Sequence, residues 1–318
     1  MEKILHEIDA IVGRINTHPE YSECVNSRTS RDLVEAAGRH SLDLELKGEG
    51  DPRYLGRDHS KSLRDLTMAE NFLTREGVSV YALSVLGNMI EPENQPYNGF
   101  RRVDVNFPSP HERIRGEIDS LVSFLSSTDS HPVKRAINAH IDLLRIHPYE
   151  DGNSRSARLL QNFCLRERGY PPAIITPGER DLYRALRKTV LFDRYSHQSS
   201  FEKPSKSEEI FNEFIASKVL ESVKVLEGEL RSKRMYEIYF YQLKKPAVME
   251  TVAHHLRSYG RKKEHQGVKV SIDKKEGRGK NLIVVGDISK KEIELVLQKS
   301  NERNNFKYEI NTNPFICH

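Results

Sequence analysis

Apolar residues recur every three to four positions along most of the chain, and this spacing predicts a mainly α-helical protein. The first stripe consists of Leu5, Ile8, Val12 and Ile15. Later stripes predict helices around 33–37 and over 63–73, 78–90, 114–125, 133–144, 157–164, 181–186 and 208–230. We therefore expect an N-terminal helical segment over 1–77, a helical core over 78–204 and a further helix that opens a C-terminal domain over 205–318.

The helix at 133–144 is apolar around much of its circumference, which predicts a position at the centre of a core. It leads directly into His147, and Gly169 ends the helix that follows. His140 lies one heptad before His147. We expect His140 to be packed in the core rather than to act as a second base.

Two regions depart from helical spacing. Val103, Val105 and Phe107 alternate with polar residues after the polar linker 93–99, which predicts a short strand or hairpin arm over 100–107. A helical region at 235–258, strands at 268–272 and 282–285, a helix at 288–297 and a strand at 306–310 complete the chain. Helices followed by β-β-α-β predict a small C-terminal α+β domain.

Composition fits a soluble globular protein, with 37% hydrophobic and 30% charged residues. No apolar run approaches a membrane span, and the N-terminus lacks the apolar core of a signal peptide, so we expect a cytoplasmic protein that does not enter a membrane. Cys24, Cys164 and Cys317 are too widely spaced to suggest a metal or disulfide pattern.

Charge is distributed unevenly along the chain. Residues 231–318 contain 19 Lys+Arg and 10 Asp+Glu, a net +9, whereas the other 31 and 36 leave residues 1–230 at −5. This asymmetry favours a tail domain with its own partner. Nucleic acid bound through 231–318 and a merely solubilising surface both fit the basic residues Arg261, Lys262, Lys263, Lys274, Lys275, Arg278 and Lys280.

The loop His147–Arg158 concentrates the candidate chemistry. His147 has an ordinary pKa suited to proton removal near neutral pH. The turn Gly152–Asn153–Ser154 enters a helix, whose unpaired N–H groups and dipole bind anions. Arg155 and Arg158 add positive charge for phosphate oxygens. Asp151 is a candidate ligand for Mg²⁺, which prefers one or two carboxylates together with phosphates. The alternative is a purely structural cap and turn.

This stretch resembles the signature of the Fic family, His-x-Phe-x-(Asp/Glu)-Gly-Asn-Gly-Arg-x-x-Arg. Tyr149 replaces Phe and Ser154 replaces the second Gly; the other specified positions match. The resemblance extends over about 78–201. It implies a Fic-type helical core and a protein adenylyltransferase that moves AMP from ATP to a Tyr, Ser or Thr hydroxyl of a target protein, or of itself. His147 would be the base and Asp151 would hold Mg²⁺.

The resemblance also implies roles for residues outside the loop. Asn162 and Tyr183 occupy positions that contact the nucleotide in the family, although Tyr183 also fits an ordinary helix-face aromatic. Residues 100–107 resemble the family flap, which holds the target beside the active site by strand addition. The residues assigned to target docking are Arg101, Arg102, Val103, Asp104 and Val105.

Several alternatives stay open at this stage. Ser154 introduces a β-carbon where a positive φ or a close phosphate would favour Gly, so a Fic-fold phosphotransferase competes with adenylyl transfer. A nucleotide-sensing regulator that binds nucleic acid is the third reading. The family's inhibitory motif, (Ser/Thr)-x-x-x-Glu-(Gly/Asn), is absent in its strict form. An antitoxin-type inhibitor, a degenerate inhibitory helix near Glu70, no inhibition and a homo-oligomer all remain compatible with the sequence.

Overall fold

The structure, a computed structural model, describes residues 1–17, 28–46, 59–92, 99–105, 109–126, 130–196, 200–232, 234–241, 247–262, 268–273, 281–286, 288–304 and 306–312. The chain divides into two compact units, Met1–Leu226 and Glu227–His318. Among the described residues, no helix combines the length and the apolar character needed to cross a membrane.

The first unit is built almost entirely from helices, as the periodicity predicts. Its helices are α1 (Glu2–Thr17), α2 (Arg28–Leu46), α3 (His59–Glu76), α4 (Val80–Ile90), α5 (Ile114–Ser126), α6 (Pro132–Ile146), α7 (Asn153–Arg166), α8 (Arg180–Tyr195) and α9 (Lys206–Ser232). Helix α9 crosses the division between the units. The sequence placed α9 in the C-terminal domain, but its apolar residues Phe211, Ile215 and Val219 are buried in the first unit.

Helix α6 lies at the centre of this unit and packs most extensively against α7. It begins at Pro132, whose fixed φ suits the first helical position, after His131, whose ring accepts a hydrogen bond from the Val133 N–H. Its side chains are buried around most of the circumference, and His140 is fully buried among them. The predicted central helix and the packed histidine are both confirmed.

The helices before α4 cover one side of α7. Both α2 and α3 contact α7, and Glu70 of α3 forms an ion pair with Arg166 of α7 at 2.7 Å. Burial raises the pKa of Glu70, and Arg166 opposes that shift. The N-terminal segment is therefore packed against the helix that carries the signature, rather than attached as a separate element.

The predicted strand over 100–107 is wrong for the residues that the structure describes. Residues 99–105 form neither strand nor helix, and residues 106–108 lie outside the described part. The reason is Arg101, which is buried and bonds through its backbone and side chain to the loop at 147–148. These bonds hold the segment without a sheet partner.

The second unit is a four-stranded antiparallel sheet with two helices. The elements are β1 (Arg234–Tyr241), α10 (Ala247–Lys262), β2 (Lys269–Asp273), β3 (Asn281–Gly286), α11 (Lys290–Asn304) and β4 (Lys307–Thr312). The strands are ordered β2-β3-β1-β4. This β-α-β-β-α-β sequence of elements is that of ferredoxin-like folds.

Strand β1 was missed by the sequence prediction, which assigned a helical region to 235–258. Tyr236, Ile238 and Phe240 are buried at alternate positions in this strand, so the true period there is two. The predicted α+β domain is otherwise confirmed. Of the seven basic residues considered for nucleic acid, Lys263, Lys274, Lys275, Arg278 and Lys280 lie outside the described residues. Arg261 is exposed on the last turn of α10.

Candidate active site

The candidate base is positioned by the end of α6. His147 is the C-terminal cap of that helix, and its N–H donates to the Leu143 carbonyl oxygen at 3.0 Å. Its backbone is left-handed, with φ 52°, which no other non-glycine residue among those described adopts. Such a conformation is unfavourable for a residue with a side chain and persists only where surrounding contacts enforce it.

Arg101 supplies those contacts. Its Nε donates to the His147 carbonyl oxygen at 2.8 Å, and its backbone N–H donates to the Pro148 carbonyl oxygen at 2.8 Å. Further guanidinium bonds reach the carbonyl oxygens of Val103 and Ser109. A residue assigned from sequence to target docking therefore joins the flap to the backbone of the base.

The environment of His147 keeps its imidazole neutral. Burial is the main cause that lowers its pKa to about 4, and the positive charges of Arg101 and Arg187 act in the same direction. A hydrogen bond from the ring to the Leu144 backbone and the charge of Asp151 oppose the shift. At neutral pH the ring is thus in the form that accepts a proton.

The turn after His147 is fixed by the side chain of Asn153. Its Oδ1 accepts from the Tyr149 N–H at 3.0 Å, and its Nδ2 donates to the Tyr149 carbonyl oxygen at 2.8 Å. Gly152 has a positive φ of 83°, which favours glycine. A β-carbon there would also lie 3.4 Å from both Glu91 and Ile90.

The N-terminal end of α7 follows this turn. The first intrahelical bond of α7 runs from the Ser156 N–H to the Gly152 carbonyl oxygen at 2.9 Å, so the N–H groups of residues 153–155 have no acceptor within the helix. The Gly152 N–H instead donates to Asp151 Oδ1 at 2.6 Å. Ser154 has ordinary helical backbone geometry, so its β-carbon costs no strain at this position.

The two signature arginines are both buried but have different partners. Arg155 is 2% exposed and forms an ion pair with Glu91 at the end of α4, with Asp151 Oδ1 3.7 Å from its NH2. Arg158 donates from Nε to Ser41 Oγ at 2.8 Å and from NH2 to the Ser41 carbonyl oxygen at 2.9 Å. Phosphate contact by either arginine stays a prediction.

Ser41 of α2 is a site residue that the sequence reasoning missed. Glu45 follows it by four residues, which is the Ser-x-x-x-Glu spacing of the family's inhibitory motif, but Leu46 stands where that motif has Gly or Asn. The strict motif, with Gly or Asn directly after Glu, therefore does not include this pair. The region near Glu70, considered instead, pairs with Arg166.

A chain of buried hydrogen bonds orients Arg158 from the other side. Arg158 NH1 donates to the Tyr183 hydroxyl oxygen at 3.3 Å, and that hydroxyl lies 2.9 Å from His140 Nε2. Gln161 Oε1 only accepts, so the proton of the neutral His140 ring lies on Nδ1, and the Tyr183 hydroxyl donates to Nε2. The distance between His140 Nδ1 and Gln161 Oε1 is 2.7 Å. Burial, with the charge of Arg158, lowers the pKa of His140 to about 3.

Two other residues assigned to the nucleotide are committed to internal contacts. Tyr183 is 1% exposed, as the helix-face alternative requires. Asn162 accepts from the Ala173 N–H at 3.0 Å and donates to the Ala173 carbonyl oxygen at 3.4 Å. Their contact with a nucleoside stays a prediction, and both residues have a structural role here.

The hydroxyl group of Ser154 is bonded to a residue that the sequence analysis did not select. Arg187 of α8 donates from NH1 to Ser154 Oγ at 2.6 Å. Its guanidinium carbon lies 5.6 Å from the centroid of the Tyr183 ring, and that of Arg158 lies 5.7 Å from the same centroid. Ser154 and Arg187 are 33 positions apart, so no local sequence pattern predicts that they pair.

Asp151 fits the modest protein ligand set that Mg²⁺ requires when phosphates supply most of its ligands. It lies beside the helix end and half-buried. The described residues contain no group of three or more His, Cys, Asp or Glu side chains able to hold a metal by themselves. A metal at this site would therefore depend on a phosphate-bearing ligand as well as Asp151.

The remaining flap residues are open to solvent. Arg102, Val103, Asp104 and Val105 are exposed, and Val103 is 47% accessible although apolar. Asp104 accepts hydrogen bonds from the His111 N–H at 2.8 Å and from its Nδ1 at 3.0 Å, which lowers the pKa of Asp104. Docking of a target here stays a prediction.

The helical hairpin of α6 and α7 presents His147 at its turn, directly before the N-terminus of α7. Residues 60–165 match the Fic/DOC family and therefore form a Fic domain. The match includes the whole loop from His147 to Arg158 and the helices on either side of it.

Relatives in sequence agree with this assignment. A protein adenylyltransferase Fic of Culex quinquefasciatus is 34% identical over 144 residues, which are 41% of this chain and 27% of the relative. The corresponding protein of Drosophila virilis is 49% identical over 57 residues, 18% of this chain and 12% of the relative. The chain thus spans about a quarter or less of the length of these curated relatives.

Solved structures agree on the fold. A Fic domain containing signaling protein from Bacteroides thetaiotaomicron matches with a TM-score of 0.55 at 17% identity, over 70% of this chain and 97% of the other. Fic-1 from C. elegans matches with a TM-score of 0.57 at 20% identity, over 72% of each chain. The predicted Fic-type helical core is confirmed.

Proposed function

We propose that this protein is a protein adenylyltransferase that moves AMP from ATP to a hydroxyl group of a protein. The observation that carries the proposal is a neutral, buried His147 placed beside the N-terminus of α7 on a Fic domain. Relatives named protein adenylyltransferase share sequence with this chain, which supports the same reaction.

The proposed reaction is a displacement at the α-phosphorus of ATP. The oxygen of the target hydroxyl forms a bond to that phosphorus, the bond to the oxygen bridging the α- and β-phosphorus breaks, and pyrophosphate leaves. The hydroxyl proton passes to the imidazole of His147. A positioned base and fixed positive groups supply most of what phosphoryl chemistry needs from a protein.

The low pKa of His147 in the free protein is compatible with this role. A histidine with pKa about 4 is a weak base at neutral pH. Bound phosphates bring negative charge close to the ring, and negative charge favours the protonated form. The nucleotide thus raises the basicity of His147 when the target is to be deprotonated.

The phosphates are assigned to the helix end and to the signature arginines. The N–H groups of residues 153–155 and the dipole of α7 attract anions. Asp151 would hold Mg²⁺, which would neutralise phosphate charge when bound. Arg158 is held by Ser41, so a phosphate contact requires it to exchange or share that partner. We infer that α2 restrains the enzyme through this contact.

The test is the intact mass of the purified chain after incubation with ATP and Mg²⁺, with His147→Ala alongside. A gain of one AMP by the wild type alone supports adenylyl transfer to itself. A gain of one phosphate supports the Fic-fold phosphotransferase. No gain on the chain and no labelling of any protein in an added cell extract, even with Ser41 and Glu45 replaced, contradicts both.

A further inference from the structure

We propose that Arg187, docked on Ser154, is an additional phosphate-binding residue of the nucleotide site. The inference rests on the proposed function, because it places the phosphates of the nucleotide at the N-terminus of α7. It assigns a role to the position where this chain departs from the family signature, and it adds a binding residue from α8 that lies outside that signature.

The first observation is the location of the Arg187 guanidinium. Its NH1 donates to Ser154 Oγ at 2.6 Å, and Ser154 is in the first turn of α7. The N-terminal end of a helix carries partial positive charge, so an arginine is electrostatically unfavourable there unless an anion is nearby. The hydroxyl oxygen of Ser154 satisfies one N–H but carries no negative charge to offset that of the guanidinium.

The second observation is that none of the described carboxylates pairs with Arg187. Among the described residues, Arg187 has no ion pair, whereas Arg145, Arg155 and Arg194 are paired with Glu117, Glu91 and Glu208. Arg187 is half-buried, so water screens its charge less than on an open surface. Carboxylates therefore offset the charge of those three arginines, whereas no described carboxylate offsets the charge of Arg187.

The third observation is the position of Arg187 relative to the chemistry. Arg187 and Arg158 lie within 5.7 Å of the centroid of the same tyrosine ring, that of Tyr183. The charge of Arg187 also reaches His147, where it helps to lower the pKa of the base. Two guanidinium groups on one ring, close to the base and the helix end, form a cationic site suited to several phosphate oxygens.

Ser154 explains why the arginine stays in place. A glycine at this position, as in the family signature, has no side chain with which to accept the bond. The hydroxyl of Ser154 orients the guanidinium in the absence of ligand, and that ordering lowers the entropic cost of binding. Positions 154 and 187 therefore act as a pair, with Ser154 as the positioning residue and Arg187 as the ligand.

The experiment measures binding to the full chain by calorimetry, with Mg²⁺ present. The probes are adenosine and an ATP analogue whose α- and β-phosphorus atoms are bridged by a methylene group, which prevents cleavage there. Arg187→Gln is expected to weaken the analogue about tenfold, because it removes a charge-assisted contact. It is expected to leave adenosine affinity unchanged. Lys188→Gln, which removes an exposed charge from the same helix, is the matched control and is expected to change neither.

A double-mutant cycle tests the pairing. If Ser154 acts through Arg187, Ser154→Gly weakens the analogue in the wild-type background but has no further effect in Arg187→Gln. Strictly additive losses would contradict the positioning role.

Unchanged or tighter binding of the analogue by Arg187→Gln, or an equal loss for adenosine, would overturn the proposal while leaving the proposed function intact. Failure of the wild-type chain to bind the analogue would overturn both.

Discussion

The Tyr149 hydroxyl donates a hydrogen bond to the backbone carbonyl oxygen of Leu83 at 2.6 Å. Tyr149 stands where the family signature has Phe, and its ring is fully buried between α4 and the loop. The bond satisfies the one polar atom that a phenylalanine lacks, so the replacement leaves no buried donor unpaired. Burial also raises the pKa of Tyr149, which keeps the hydroxyl a donor.

This packing predicts that Gly87→Ala is destabilising. A β-carbon at Gly87 would lie 2.3 Å from Cδ1 of the Tyr149 ring, which cannot retreat while its hydroxyl is bonded. We expect a loss of about 1–3 kcal/mol in the free energy of unfolding, measured by urea denaturation followed by circular dichroism. Gly116→Ala on α5 is the control. Its β-carbon meets nothing within 4 Å, so a stabilisation of up to about 1 kcal/mol is expected.

The state of His147 predicts the pH dependence of the proposed reaction. Because its pKa is lowered to about 4, the base form is present above that value and is lost as the pH falls through it. We expect kcat/KM, which reports the free enzyme, to hold its plateau down to about pH 5. Arg187→Gln should move the acid limb to higher pH, since it removes one of the charges that lower this pKa. An acid limb near pH 6.5 in the wild type would contradict the prediction.

His140 predicts a pH dependence of stability. Its pKa falls to about 3 in the folded protein against an ordinary 6.5, so the unfolded chain binds the extra proton first as the pH drops. The associated stability is complete above pH 6.5 and is lost progressively toward pH 3.

At pH 5 this term should cost about 2 kcal/mol of unfolding free energy relative to pH 7.5. His140→Gln should reduce the difference between the two pH values, whereas His254→Gln, at an exposed site on α10, should leave it unchanged. Equal pH dependence in wild type and His140→Gln would show that His140 does not carry the effect.

The Ser41 contacts predict an activating substitution. Ser41→Ala removes the hydroxyl partner of Arg158 Nε, and Glu45→Gly removes the carboxylate at the motif-like spacing. If α2 restrains Arg158, each variant should incorporate AMP faster than the wild type, and their combination fastest. Glu35→Ala serves as the control, because this exposed residue of α2 pairs with Arg39. If both variants incorporate AMP at the wild-type rate, α2 does not restrain the enzyme.

Much of the helical fold could be predicted because the spacing of apolar residues within each helix shows where the helix lies. Both the existence of α6 and the face that it buries follow from one apolar stripe, Val133, Ile137, Ile141 and Leu144. Strand β1 could not be identified because a short run rich in apolar and aromatic residues fits either a buried helix or a strand. Only pairing with β3 and β4 decides between them.

The site was predictable where the signature is contiguous and not elsewhere. Residues 147–158 are brought together by one turn, so a motif is enough to find them. Ser41 reaches Arg158 across 117 positions, and Arg187 reaches Ser154 across 33. Such contacts depend on how α2 and α8 pack against α7, and a single sequence carries no periodic signal for that. The strand prediction over 100–107 was wrong for a related reason. The alternation of apolar and polar residues gives no sign of the buried hydrogen bonds that Arg101 makes.

The side chain of Arg101 holds both the segment 101–105 and the backbone of the candidate base. The same guanidinium fixes the carbonyl group of His147 and those of Val103 and Ser109, while the side chains of Val103 and Val105 face solvent. Surface substitutions at these valines can therefore change what the segment contacts without moving the candidate base. In evolution, the partners that this segment contacts can change while the position of His147 is retained, although both the segment and His147 depend on the buried side chain of Arg101.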